Sequence, residues 1–204
     1  MAFRERAADR LSRHRRLLSF SRLAFLLLVG LGGACQIARN DGQTSDEKPE
    51  HLVRAELLAN TDALVPGREF LLGARFTIAP EWYIYHKNPG DAGLPTTVEL
   101  KLPEGFSATP VMYPTPIRFN QPGDIIGYGY KEEVMLIIRV STPDNLAIGN
   151  KIAFRAHVQW LACRKKCIMG ERQLELFLPV AQQARGSQGK LFGNWMERIP
   201  QESS

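Results

Sequence analysis

The stretch KIAFRAHVQWLACRKKCIMGERQLELFLPV, residues 151–180, decides how the rest of the chain is read. Two runs within it alternate. Ile152, Phe154, Ala156, Val158, Trp160 and Ala162 share one parity in the first, and Leu174, Leu176, Leu178 and Val180 in the second. A period of two is that of a half-buried strand, whose successive side chains point to opposite faces. Between the runs stand Cys163 and Cys167, separated by Arg164, Lys165 and Lys166. On one straight strand their Cα atoms would lie about 13 Å apart, four steps of ~3.3 Å. A disulfide spans about 4.4–6.8 Å. A bridge therefore requires the chain to reverse, and the flanking runs supply the arms of a hairpin with the cysteines near its bend.

Outward from this hairpin the same alternation recurs. REFLLGARFTI places Phe70, Leu72, Ala74, Phe76 and Ile78 on one face; TVELKL places Val98, Leu100 and Leu102; EEVMLIIRV places Val134, Leu136, Ile138 and Val140. RAELLAN, from Arg54, reads as a first strand. Between the runs lie loops punctuated by Pro and Gly: VPG at 65–67, NPGDAGLP at 88–95, LPEG at 102–105, YPTP at 113–116 and QPGD at 121–124. No helical period interrupts them. Many short strands joined by Gly/Pro turns predict an all-β fold, a β-sandwich.

The N-terminus assigns the compartment. Residues 1–22 carry seven arginines, and LAFLLLVGL (Leu23–Leu31), Gly32, Gly33 and Ala34 follow before Cys35. A basic head, a short apolar middle and a small-residue exit predict a signal peptide over 1–34. The apolar run falls short of the roughly 20 residues that span a bilayer. Cys35 directly after the small residues reads as a lipid-acceptor cysteine, although Leu31 stands four positions before it and the same residues suit ordinary cleavage after Ala34. Those seven arginines against Glu5 and Asp9 account for the whole formal net charge of +5. The remaining chain is close to neutral, so a nucleic-acid partner has no basic face to bind. Residues 35–50 are polar and aperiodic, a flexible tether. The regular apolar pattern of 51–182 is the size of one domain. In the tail, 183–204, Leu191, Phe192, Trp195, Met196 and Ile199 are spaced for a short amphipathic helix.

Three chemistries suit the cysteine pair. As a static staple it encloses only Arg164, Lys165 and Lys166, and stabilisation grows with the logarithm of the loop closed. As half a zinc site it lacks a second cysteine pair; His157 and His86 are the available helpers. Two thiolates alone suit Cu(I), which leaves a binding module with a static bridge or a copper site as the rival function. As a redox pair it has three adjacent cations, and cations favour the nucleophilic thiolate. No resident metal or small cofactor is expected, because exchange proceeds thiolate to disulfide.

Four segments in order carry a resemblance. WLACRKKCIMG has the pattern W-L-x-C-x-x-x-C-x-x-G. EWYIYHKNPGDAGLPT supplies Trp82, Tyr85, Asn88, Pro89, Gly90, Asp91, Gly93 and Pro95; LPEGF with YPTPIRF and IGYGYKEEVML follow the same order. Over about 51–180 the sequence resembles the amino-terminal periplasmic domain of the DsbD thiol–disulfide interchange family. The resemblance implies an immunoglobulin-like β-sandwich that carries reducing equivalents from a membrane-embedded thiol donor to periplasmic thioredoxin-like proteins. The longer family members continue into a multi-span membrane domain and a thioredoxin-like domain; neither follows within these 204 residues, so the resemblance implies either a donor on a separate chain or a lost activity. The resemblance also implies that Cys167 forms the mixed disulfide and Cys163 resolves it. A cap loop matching roughly 119–130 would shield the pair, with Phe119 and Tyr128 as shielding residues and Asp124 as a nearby proton acceptor. The protein is expected in the periplasm, held to the membrane by lipid on Cys35.

Overall fold

The computed structural model describes residues 48–201. The leader over 1–34, Cys35 and most of the 35–50 tether lie outside the described residues. A four-residue helix, α1 (Pro49–Leu52), leads into ten strands: β1 (Val53–Ala59), β2 (Glu69–Ile78), β3 (Tyr83–Gly90), β4 (Thr97–Lys101), β5 (Ser107–Ala108), β6 (Ile117–Gln121), β7 (Ile125–Lys131), β8 (Glu133–Ser141), β9 (Lys151–Cys163) and β10 (Cys167–Pro179). An eight-residue helix, α2 (Gly189–Met196), follows. The strands form two antiparallel sheets, β1-β2-β8-β5 and β10-β9-β3-β7-β6, with β4 also paired to β9. The fold is an all-β, immunoglobulin-like sandwich.

The alternating residues meet between the sheets. Phe70 and Phe76 of one sheet pack edge-on against Phe154 and Trp160 of the other, with ring centroids 5.4 and 5.8 Å apart. Strand β9 organises the second sheet. Its one edge is paired along its whole length with β10. Its other edge is shared: β3 covers Ala162 and Cys163, and β4 covers Arg155 to Gln159.

The structure departs from a half-buried reading at β8. Val134, Leu136, Ile138 and Val140 face the other sheet, but Met135 and Ile137 on the opposite face are buried as well. Two segments cover them. Met112 bridges to Ile137, and α2 lays Phe192 against the sheet, where Gly73 makes room: a β-carbon there would lie 2.5 Å from Met135 Sδ and 3.2 Å from Phe192 Cε1. The helix lacks a side-chain N-cap, since Gln188 makes no capping hydrogen bond. A lost cap costs about 1 kcal/mol, whereas burying Phe192 contributes about 1.5–3 kcal/mol. Packing therefore decides that the helix forms.

Three strands, β3, β6 and β7, fall where the sequence shows Pro, Gly and no alternation. Gly127 and Gly129 remove the period from β7, and both are demanded by space. A β-carbon on Gly129 would lie 2.2 Å from the Ile84 carbonyl oxygen, and one on Gly127 would lie 2.4 Å from the Phe119 ring.

Candidate functional site

The cysteines close the tip of the longest hairpin. Strands β9 and β10 pair from Lys151↔Pro179 up to Cys163↔Cys167. The turn is Arg164-Lys165-Lys166, with the Arg164 amide donating to the Lys166 carbonyl at 3.0 Å. The reversal brings the two Cα atoms to 4.1 Å, and the sulfurs are bonded. The two sulfurs differ in access: Cys163 is fully buried, while Cys167 is exposed.

Register fixes what surrounds them. Cys167, Cys163, Tyr83 and Lys131 are successive partners across β10, β9, β3 and β7. Directly opposed residues put their Cβ atoms on one face, about 4.5–5.5 Å apart. The adjacent row holds Ala162, Ile84 and Tyr130, which belong to the core. The cysteine row therefore points outward, away from the inter-sheet core.

An aromatic group lies on that outward face. Phe119 of β6 packs on Tyr83 with centroids 4.4 Å apart and on Tyr85 at 6.1 Å, and Tyr83 meets Tyr85 edge-on at 5.5 Å. Gln121 Nε2 donates to the Tyr85 hydroxyl at 2.9 Å. Burial, followed by the hydrogen bond to Tyr85, pushes the Tyr83 hydroxyl far above its ordinary pKa, so it stays neutral at physiological pH. Phe119 thus reaches the cysteine row through Tyr83. Tyr128 pairs with Arg118, one step out of phase with the Phe119↔Gly127 pair. It therefore lies on the opposite face of the β6–β7 ribbon from Phe119, because neighbouring strand positions alternate. Asp124 sits exposed in the turn between β6 and β7 with φ 60°. Among the described residues it has no hydrogen bond or ion pair to either cysteine.

From sequence the 88–95 segment reads only as a rigid loop beside the site, and the structure supplies roles for it and for Trp82 before it. Trp82 underlies the Arg164 guanidinium, 5.2 Å from its ring centroid, while Glu81 accepts from Arg164 Nη1 at 3.1 Å. The hairpin tip is thereby fastened to the β2–β3 turn. Asp91 takes the Ile126 amide on its carboxylate at 2.8 Å and gives its own amide to the Ile126 carbonyl at 2.9 Å. Gly93, at φ 114°, lies over Tyr85, where a β-carbon would come within 2.4 Å of the ring. The segment clamps the β6–β7 ribbon to β3 and buries Tyr85. The spacing W-L-x-C-x-x-x-C-x-x-G also has a packing cause. Gly170 opposes Trp160 across the hairpin, and a β-carbon there would fall 2.4 Å from the indole.

The histidines weighed as metal helpers lie elsewhere. His157 Nε2 is 3.1 Å from a Glu171 carboxylate oxygen. His86 packs on Tyr113 and Tyr130, and its pKa is pushed down chiefly by burial. Among the described residues no cluster of three or more His, Cys, Asp or Glu side chains is placed to hold a metal. Among them, too, no helix is long and apolar enough to cross a membrane.

The family described as "Thiol:disulfide interchange protein DsbD, N-terminal" matches residues 54–179. No curated protein matches the sequence. Among solved structures, the N-terminal periplasmic domain of ScsB from Proteus mirabilis is similar at 18% identity and a TM-score of 0.54. That alignment covers 75% of this chain and 56% of the other, so this chain spans little more than half the length of that relative. The reduced N-terminal domain of DsbD from Neisseria meningitidis aligns at 15% identity over 69% of this chain and 94% of the other, with a TM-score of 0.37.

Proposed function

The chain belongs to the DsbD N-terminal family of thiol:disulfide interchange proteins, and from that membership we propose that Cys163 and Cys167 cycle between disulfide and dithiol to pass reducing equivalents onward. The unequal burial of two bonded sulfurs carries this reading. A donor thiolate attacks the exposed Cys167 Sγ, and Cys163 Sγ leaves as the thiolate; the donor's second thiolate then releases Cys167. In the forward step the Cys167 thiolate attacks a client disulfide and the client's far sulfur departs. Cys163 then attacks Cys167 Sγ, re-forming the bridge and freeing the reduced client. Two electrons and two protons move in each half-cycle, and no other cofactor is required. Arg164, Lys165 and Lys166 favour the thiolate form. Phe119, through Tyr83, limits access to the pair from the sheet face.

The donor is a membrane-embedded thiol protein, and the clients are periplasmic thioredoxin-like proteins. The periplasmic family and the leader pattern support export, with lipid on Cys35 as the tether. Mass spectrometry of the mature N-terminus tests the lipid: an unmodified Cys35, or a start downstream of it, removes the tether and leaves export standing. The exchange itself is tested by Cys163→Ser and Cys167→Ser on non-reducing gels with a thioredoxin-like partner. Cys163→Ser should trap a stable mixed disulfide through Cys167, and Cys167→Ser little or none. Equal trapping overturns the assigned roles, and trapping by neither overturns the relay.

A further inference from the structure

A free sheet edge begins at the reachable sulfur. Strand β10 is 13 residues long and outermost in its sheet. Among the described residues no backbone group pairs with its outer edge over 167–178. Register says which groups stand there. The Arg164 amide bonds the Lys166 carbonyl, so the next pair, Cys163↔Cys167, is of the non-hydrogen-bonded kind, and its Cα separation of 4.1 Å agrees. Pairing then continues down the hairpin without a slip. The N–H and C=O groups of Cys167, Met169 and Glu171 therefore turn away from β9, toward the open edge. Pro179, which has no N–H to offer, stands at the far end of the strand. The aromatic group of Tyr83 and Phe119 lies on the other side of Cys163, which leaves this edge as the open approach to Cys167.

Resting on the exchange reading above, we propose that the redox partner adds an extended segment to β10 as an antiparallel strand, with its reactive cysteine directly opposite Cys167. Disulfide geometry fits that register. Opposed residues of a hydrogen-bonded antiparallel pair have Cα atoms about 5.5 Å apart, inside the span of about 4.4–6.8 Å that a disulfide bridges. Their side chains share one face. The partner residues before its cysteine then run past Met169 and Glu171, and the second and fourth of them exchange main-chain hydrogen bonds with those two. The third lies opposite Gly170 and turns its side chain inward, where Glu50, Trp160, Glu171 and Arg172 line a recess of about 370 Å³. Affinity in such strand addition comes from the main chain, so partners of differing sequence are accepted. The partner thiolate attacks Cys167 Sγ, the Cys163–Cys167 bond breaks, and Cys163 Sγ leaves as the thiolate while the added strand holds the register.

Three blocked peptides test the pairing. The parent alternates Thr and Val and ends in one cysteine activated as its thiopyridyl disulfide. The second is N-methylated at the second and fourth residues before the cysteine, and the third at the first and third residues, whose amides face away from β10. The Cys35→Ser/Cys163→Ser variant of the full chain keeps Cys167 as its only thiol. Its thiolate attacks the peptide sulfur, and the released pyridinethione reads the rate. Methylating the edge-facing amides should slow the reaction roughly tenfold, the effect of two hydrogen bonds of ordinary net strength. Methylating the others should leave it near the parent rate. In the parent adduct, amide hydrogen exchange should slow at Met169 and Glu171. Dithiothreitol, which cannot add as a strand, is applied separately to the oxidised wild type. If it fails to open the bridge in the folded protein, the exchange reading falls and this inference with it. If it opens the bridge while the two methylated peptides react alike, or exchange at Met169 and Glu171 is unchanged in the adduct, only the strand-addition inference is overturned.

Discussion

Reduction of the Cys163–Cys167 bond should leave the sandwich folded, and the loop it closes sets the cost. The two cysteines are four positions apart. The chain-entropy relation gives about 2 kcal/mol for a loop this short, against about 4.7 kcal/mol for a 100-residue loop. Register supplies the compensation: below the cysteine pair, twelve further residue pairs from Ala162↔Ile168 to Lys151↔Pro179 hold the two arms together. The buried Cys163 thiol, once formed, behaves as a small hydrophobe in its site. For a domain of this size 1 kcal/mol shifts the melting midpoint by roughly 2–4 °C, so reduction should lower it by about 4–8 °C. Calorimetry of oxidised protein and of protein held reduced by a phosphine reads the shift directly. A loss of the cooperative transition on reduction, or a fall of more than about 20 °C, would refute the reasoning and return the bridge to a structural role. A domain that must survive both redox states can tolerate the first cost and not the second.

Gly170→Ala should destabilise the protein by about 1–3 kcal/mol, the cost of overpacking a filled core site, because the added methyl meets Trp160 at 2.4 Å. Urea unfolding with an unchanged slope measures it, and stability at or above the wild type counts against the packing account. Phe119→Ala should expose Tyr83 and speed reduction of the bridge by dithiothreitol several-fold; an unchanged or slower rate separates Phe119 from shielding. The lowered pKa of His86 gives a signed pH dependence. Its folded value lies below the unfolded value of about 6.5, so its stabilising contribution is complete above about pH 6.5 and is lost as pH falls toward the folded pKa. His86→Phe should therefore lose less of its melting temperature than the wild type between about pH 7.5 and 5.5, and equal losses in both would refute it.

The sequence by itself determined the strands whose inner faces are continuous. Phe70 to Ile78, Val134 to Val140, Ile152 to Ala162 and Leu174 to Val180 alternate because one face packs on the opposite sheet. That local period needs no knowledge of the partner. It also determined that Cys163 and Cys167 meet, since two alternating arms flanking a cationic turn reverse the chain. Only the tertiary structure decided the rest. Strand β3 carries Pro89, and β7 carries Gly127 and Gly129, in place of a pattern. The glycines answer to an aromatic ring and a backbone carbonyl contributed from elsewhere in the chain, and no local rule registers them. The same holds for the roles of Trp82, Asp91 and Gly93, which act on Arg164, Ile126 and Tyr85 across strand boundaries. The opposite faces assigned to Phe119 and Tyr128 follow from register, which shifts every side chain to the other face with a one-residue slip. Cys163 is buried and Cys167 exposed because β3 pairs against β9 at its cysteine end, while Cys167 lies on β10, the edge of the sheet. The residues alone point in that direction, since Cys163 follows the apolar Trp160-Leu161-Ala162 and Cys167 follows three cations; strand order supplies the physical cause.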